Sequence, residues 1–392
     1  MHLKKRNWYL YLTVCLVVIA SLVGIEVILR YKNIRSLGII FKDSVNVPLQ
    51  ARLFLIDDAT ILKLNDLPTS LVVFGKNNFD SYWSVDEHGF RPDYRDTDAA
   101  GQKVLVVGDS YTYSDGASHL EAYPAKLEAN LLNQGIGVNV INAAVPGYGS
   151  DQIYNKLLEL VPKLRPKLVV WNLYQNDLSD ANYFCLYRFN AERKLVSYPA
   201  WKNNAYRQGW LLTVAPGWLH QTKLFQSIVS VFGYAYGGDG TMPIATIGCT
   251  QRSVNQVELE MAQKTMVLID SARTLVERYG GRLLIVNLPF HHAYGQQLPE
   301  YQPEHNRDNL LRHIPKDINV ASCDAKTAFE QVAEVNSGSQ QILEWFQTEA
   351  EDSSPHKHPN IKGYAVLGDV VAQCVATQLS DQLVITPACL RP

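Results

Sequence analysis

The apolar run Val104-Leu105-Val106-Val107, entered from Lys103 and closed by Gly108-Asp109-Ser110, constrains this chain more than any other segment. A short, unbroken apolar run bounded by turn residues is the pattern of a fully buried strand in a parallel sheet. Ligands bind in the crevice outside the carboxyl ends of such strands. Ser110 is therefore expected where chemistry happens, followed by the small and polar Tyr111, Thr112, Ser114, Asp115 and Gly116. A serine hydroxyl is a weak nucleophile until a base takes its proton, and an acyl-transfer site also needs donors for an oxyanion.

Further along the chain, three segments supply candidates in order. Val138 to Asn142 reads as a strand that runs into Ala143-Ala144-Val145-Pro146-Gly147-Tyr148-Gly149-Ser150. Lys167 to Asn172 is a third strand and leads to Tyr174-Gln175-Asn176-Asp177, while His358-Pro359-Asn360-Ile361-Lys362-Gly363-Tyr364 precedes a C-terminal helix. Four such segments in this order and spacing resemble the SGNH, or GDSL-type, serine hydrolases, over roughly residues 103–380. The resemblance implies that Ser110 is the nucleophile and His358 the base. It also implies an oxyanion hole made by the backbone N–H groups of Ser110 and Gly147 and the side-chain amide of Asn176. A glycine at 147 suits a backbone donor that must approach substrate with no Cβ in the way.

The third triad member departs from the family pattern, which places an aspartate three residues before the histidine; here that residue is Pro355. Asp352 is the candidate acid, reaching His358 through a bulge at Ser353, Ser354 and Pro355, with Glu351 beside it. Two alternatives stay open. His356 serves as base with Asp352 four residues before it, or the site is a Ser–His dyad oriented by a carbonyl or water. The Pro-Asn-x-x-Gly after His358 favours His358.

Around these motifs strands and helices alternate. Strands are expected at 103–108, 138–142, 167–172, 282–288 and 317–323. Helices are expected near 124–134, from an N-cap at Ser150, near 254–279, and at about 363–379. Alternation of this kind implies an α/β fold with a parallel sheet between helical layers. The resemblance adds the flavodoxin-like, three-layer SGNH hydrolase fold with strand order 2-1-3-4-5.

The N-terminus is a statement about topology. Residues 1–7 form a basic tail with Lys4, Lys5 and Arg6, and residues 8–30 form an apolar stretch long enough to span a bilayer as a helix. Basic residues ahead of the span place its start in the cytoplasm. The expectation is an uncleaved single-pass anchor with the catalytic domain on the extracytoplasmic side; a cleaved signal peptide is the rival. Glu26 is expected at the interface, paired with Arg30. Residues 31–100 are read as an extension packed on the core edge, with His88 structural, and residues 101–392 as the hydrolase domain.

An interruption at about 180–253 lies just after Asn176 and holds Tyr183, Phe184, Tyr187, Tyr198, Trp201, Tyr206, Trp210 and Trp218. Aromatic rings beside a site can stack on sugars or hold an acyl chain, or can simply give the insertion a core. Of six cysteines, Cys15 falls in the span; Cys185 with Cys249 and Cys374 with Cys389 are attractive pairs that spacing alone does not fix. His356, His358, His291 and His292 show no metal-ligand spacing, and Gly233 to Gly240 lacks the lysine of a phosphate-binding loop, so no metal or cofactor is expected. A formal charge of −2 argues against a nucleic-acid partner.

The expected function is that of an extracytoplasmic serine esterase. Its substrate would be an acyl ester, with acetyl esters of a cell-surface or exported polysaccharide favoured. An O-acyltransferase using the same serine and histidine, and a catalytically weak carbohydrate-binding or assembly protein, are the alternatives.

Overall fold

The computed structural model describes residues 2–31, 54–57, 61–64, 69–74, 80–85, 90–91, 101–174, 176–177, 180–181, 185–199, 219, 222, 224–225, 254–289, 320–336, 345–348 and 355–380. Among these, the backbone alone is described for 2–12, 29–31, 54–85, 254–258, 333–336, 347–348 and 355–357.

The centre is a five-stranded sheet of β1 (Gln102–Val107), β2 (Val138–Asn142), β3 (Leu168–Leu173), β4 (Arg282–Asn287) and β5 (Ala321–Asp324). Their spatial order is 2-1-3-4-5 and every pairing is parallel. The strands are apolar almost throughout because both faces are covered. In β1, Val104 and Val106 join one core with Leu127, Leu131, Phe329, Leu367 and Val371. Leu105 and Val107 point the other way, into a core with Ile153, Leu157, Ile269 and Val276. This period-two alternation sorts the helices into layers. On one face lie α3 (Tyr123–Asn133), α6 (Ala325–Asn336) and α7 (Ile361–Leu379); on the other lie α4 (Ser150–Leu164) and α5 (Val254–Arg278). Each large apolar side chain so buried contributes ~1.5–3 kcal/mol. Two further helices are α1 (His2–Tyr31) and the four-residue α2 (Ser110–Tyr113).

Three expectations are corrected. The last strand begins at Ala321 rather than 317 and runs directly into α6, a helix the sequence reading did not contain. Asp324 makes that junction, accepting bonds from Thr327 N–H (3.3 Å) and the Thr327 hydroxyl (2.7 Å). The N-cap of α4 is Gly149 and not Ser150. The Ser150 hydroxyl is engaged instead by the Thr265 hydroxyl of α5 at 3.1 Å, a tertiary bond. Finally, Cys374 pairs with Cys323, with Cα atoms 6.1 Å apart, so β5 is tied to α7 rather than α7 to the C-terminal tail. Cys185 is also disulfide-bonded, to a cysteine outside the described residues.

Before the sheet, the extension contributes two antiparallel hairpins, Phe54–Asp57 with Ile61–Leu64 and Thr69–Phe74 with Asp80–Val85. Phe90 packs into the core beside Leu105 and Val107. His88 lies outside the described residues. Among the described residues no helix is long and apolar enough to cross a membrane. Glu26 accepts a bond from the Leu224 backbone N–H at 2.7 Å; the Arg30 side chain lies outside the described residues.

Candidate active site

Ser110 stands at the switch point of the sheet. β1 has β2 on one side and β3 on the other, so the loops leaving β2 and β3 flank the loop that carries Ser110. Asp109 caps α2, its Oδ1 accepting the Tyr111 N–H at 2.9 Å, and Ser110 is the first residue of that helix. A first-turn N–H has no partner within its helix, which leaves that of Ser110 available to a substrate oxygen. The serine itself is half-buried among buried Asp109, Tyr111, Thr112 and Tyr113.

His358 reaches Ser110 from the other end of the chain. It sits on β7 (Pro355–Pro359), which pairs antiparallel with β6 (Phe346–Thr348). Its Nε2 lies 2.8 Å from Ser110 Oγ, within reach for proton transfer. The ring is buried and lies against Tyr111, centroids 5.5 Å apart. The local sequence explains the placement. Asn360 caps α7 by accepting the N–H groups of Lys362 (3.0 Å) and Gly363 (3.1 Å). Its own amide donates to Phe346 O (3.1 Å), and its backbone N–H to Trp345 O (2.8 Å). Gly363 is obligatory here, since a Cβ would lie 2.2 Å from the Trp345 carbonyl oxygen. His-Pro-Asn-x-x-Gly is thus a device that fastens the histidine strand to a helix start.

Gly147 lies in the turn after β2 with φ +78°, a left-handed conformation that glycine adopts without strain, and it is exposed. Asn176 follows β3, half-buried; its side-chain amide donates to Asp180 Oδ2 at 2.7 Å, and its carbonyl accepts the Asp180 N–H at 2.8 Å. An acceptor at that distance fixes which end of the amide is nitrogen. Asp352 and Glu351 lie outside the described residues, as does the His356 side chain.

Burial sets the electrostatics beneath the serine. Asp177 is held well above the usual carboxylate range, first by burial and then by the Asp109 charge, although its carboxylate accepts the Tyr174 N–H at 3.0 Å. The Tyr111 phenol is pushed up by burial and by neighbouring Tyr174 and Tyr364; burial likewise raises Tyr174 and Tyr364. These phenols stay neutral and are poor bases. Tyr111 and Tyr174 stack at 4.1 Å, a packed floor that locks the turn beside the nucleophile.

Residues 104–203 match the family model for GDSL-like lipases and acylhydrolases. Over that segment the chain is similar to GDSL-like lipases and acylhydrolases. Esterase TesA of Pseudomonas aeruginosa is 35% identical to it over 79 residues, which are 20% of this chain and 39% of that relative. The chain thus spans about two fifths of the length of that curated relative. Among solved structures, a crystal structure of TesA is similar at 15% identity and TM-score 0.37, covering 71% of this chain and 99% of the other. LAE5, an α/β hydrolase from the metagenome of Lake Arreo, is similar at 14% identity and TM-score 0.41, covering 72% and 99%. Axe2, an acetylxylan esterase from Geobacillus stearothermophilus, is similar at 14% identity and TM-score 0.38, covering 73% and 98%. At those scores the fold of this chain rests on its own strand order.

Sequence reasoning missed several residues around this site: Asp109 as a helix cap, Asp180 beside Asn176, the β6 hairpin strand behind His358, and buried Arg91. Asp109 carried a local signal, an aspartate before a polar helical turn. The others are set by tertiary contacts.

Proposed function

We propose that this protein is a serine ester hydrolase in which Ser110 attacks the ester carbonyl as His358 Nε2 takes its proton. The 2.8 Å approach of those two atoms beyond the end of β1 is the observation that carries this reading. Charge developing on the carbonyl oxygen is met by the N–H groups of Ser110 and Gly147 and the amide of Asn176, worth ~2.7–4 kcal/mol for a single donor. Collapse of the tetrahedral species breaks the ester C–O bond. His358 returns its proton to the leaving alcohol, and water repeats the sequence to release the acid. Asp352 is the proposed orienter of the imidazole. The preferred substrate is a small acyl ester, acetyl above all, on a surface or exported polysaccharide. The aromatic content that follows Asn176 supports this choice.

In the same reading, the domain sits on the outer face of a membrane, held by α1. The Lys4, Lys5 and Arg6 cluster ahead of the apolar stretch supports this orientation. So do the side chains of Val14, Val17, Ile19, Val23 and Ile28, which stand exposed along the helix. The Cys323–Cys374 disulfide suits an oxidising compartment.

Hydrolysis of a short-chain aryl ester by the full chain tests the chemistry. Ser110→Ala should reduce it to background with the fold intact; a variant that keeps wild-type turnover removes the enzyme reading. Resistance to carbonate extraction, together with cleavage by externally added protease, tests the topology. A soluble mature protein starting near residue 21–30 would replace the anchor with a cleaved signal.

A further inference from the structure

Arg91 belongs to the extension and lies outside the segment that matches the family, yet it is among the largest fully buried side chains of the molecule. Its guanidinium donates to the carbonyl oxygens of Tyr113, Ser114 (3.0 Å) and Ala117, and it lies over the Tyr113 ring, 4.5 Å from the centroid. Its backbone N–H donates to Asn142 O at 3.2 Å, at the end of β2. All three carbonyls lie at the C-terminal end of α2, the helix that Ser110 opens, and in the turn that follows it. Ser114 at the C-cap has φ 66°, and the Asp115 N–H closes back on Ser110 O at 3.1 Å. The same loop reaches the base. Asp115 O accepts the Tyr364 hydroxyl at 3.0 Å, and Tyr364 lies in the first turn of α7, fastened by Asn360 two residues after His358.

We propose that Arg91 is a positioning residue that fixes loop 113–117 and, through the Asp115–Tyr364 bond, the registration of Ser110 against His358. This rests on the Ser110–His358 reading above. Physically, a loop this buried must satisfy its carbonyls or bear their desolvation cost. One planar guanidinium can satisfy three at once, where a lysine ammonium presents a single point of charge on a flexible stem. The extension is then part of the catalytic scaffold.

Arg91→Lys in the full chain tests this. Turnover is normalised to the number of sites that react with a fluorophosphonate, so that a loss of folded protein does not count. We expect kcat per reactive site to fall ~10–100-fold, the scale of a misplaced catalytic group, with KM changed less than about threefold. Amides of residues 113–117 should exchange with solvent faster than in wild type. Should Arg91→Lys not fold, Tyr364→Phe removes only the hydroxyl to Asp115 and should lower kcat in the same direction, again without raising KM. Unchanged kcat per reactive site, or wild-type exchange across 113–117, overturns the proposal. Wild-type protein that neither hydrolyses ester nor labels at Ser110 would instead sink the Ser–His reading, and the exchange comparison would still decide whether Arg91 holds the loop.

Discussion

The two halves of the site are built on opposite principles. Ser110 follows β1 in a turn capped by its immediate neighbour Asp109 and floored by stacked Tyr111 and Tyr174. His358 arrives 248 residues later on a short hairpin strand, held by Asn360 to the carbonyl groups of Trp345 and Phe346. A nucleophile at a strand end is placed by the sheet itself. A base on a hairpin is placed only by whatever fastens that hairpin, so the second half is where single substitutions should separate geometry from chemistry.

The sharpest way to break this comparison is at the histidines. His358→Ala should cost ~10⁴–10⁶-fold in turnover, the range for removing a triad base. His356→Ala should leave most activity, and the reverse pattern would show that the base lies two residues earlier. Next in size, Asp352→Asn should lower turnover ~10²–10⁴-fold, because the wrong imidazole tautomer is then favoured. An unchanged rate would indicate a dyad or a different acid such as Glu351. Both are read in steady-state hydrolysis of the aryl ester.

The smallest expected effect lies in the nucleophile half and concerns stability. Asp177 holds its proton to higher pH in the folded state than in the unfolded chain. Above its raised pKa the fold therefore bears a buried anion that the unfolded chain solvates. That penalty fades as pH falls through the raised value and is gone below the unfolded value near 3.9. Asp177→Asn should thus stabilise the protein by ~1 kcal/mol at alkaline pH, with the gain disappearing towards pH 4. Denaturant midpoints across that range check it; a gain that grows on acidification contradicts it.

How much of this was legible in the sequence follows the same division. β1, β2 and β3 and the residues at their ends could be read because a buried parallel strand and its exit turn are local patterns. The strand order came from the family resemblance. The β6–β7 hairpin was not legible, since neither Phe346–Thr348 nor Pro355–Pro359 carries alternation, and the two short strands pair with each other apart from the five-stranded sheet. The cap of α4 was misplaced for a related reason: Thr265, 115 residues away, engages the Ser150 hydroxyl. Arg91 looked like part of an edge segment because nothing in its neighbourhood announces three carbonyls waiting 22 to 26 residues downstream.

The claim on which the rest stands is that Ser110 is activated by His358. It is tested most directly by the rate at which a fluorophosphonate modifies the protein, with the modified peptide mapped by mass spectrometry. The account predicts stoichiometric modification at Ser110 in the wild type and a rate at least ~10²-fold slower in His358→Ala. Modification at another residue, or an equal rate in the two proteins, would contradict it.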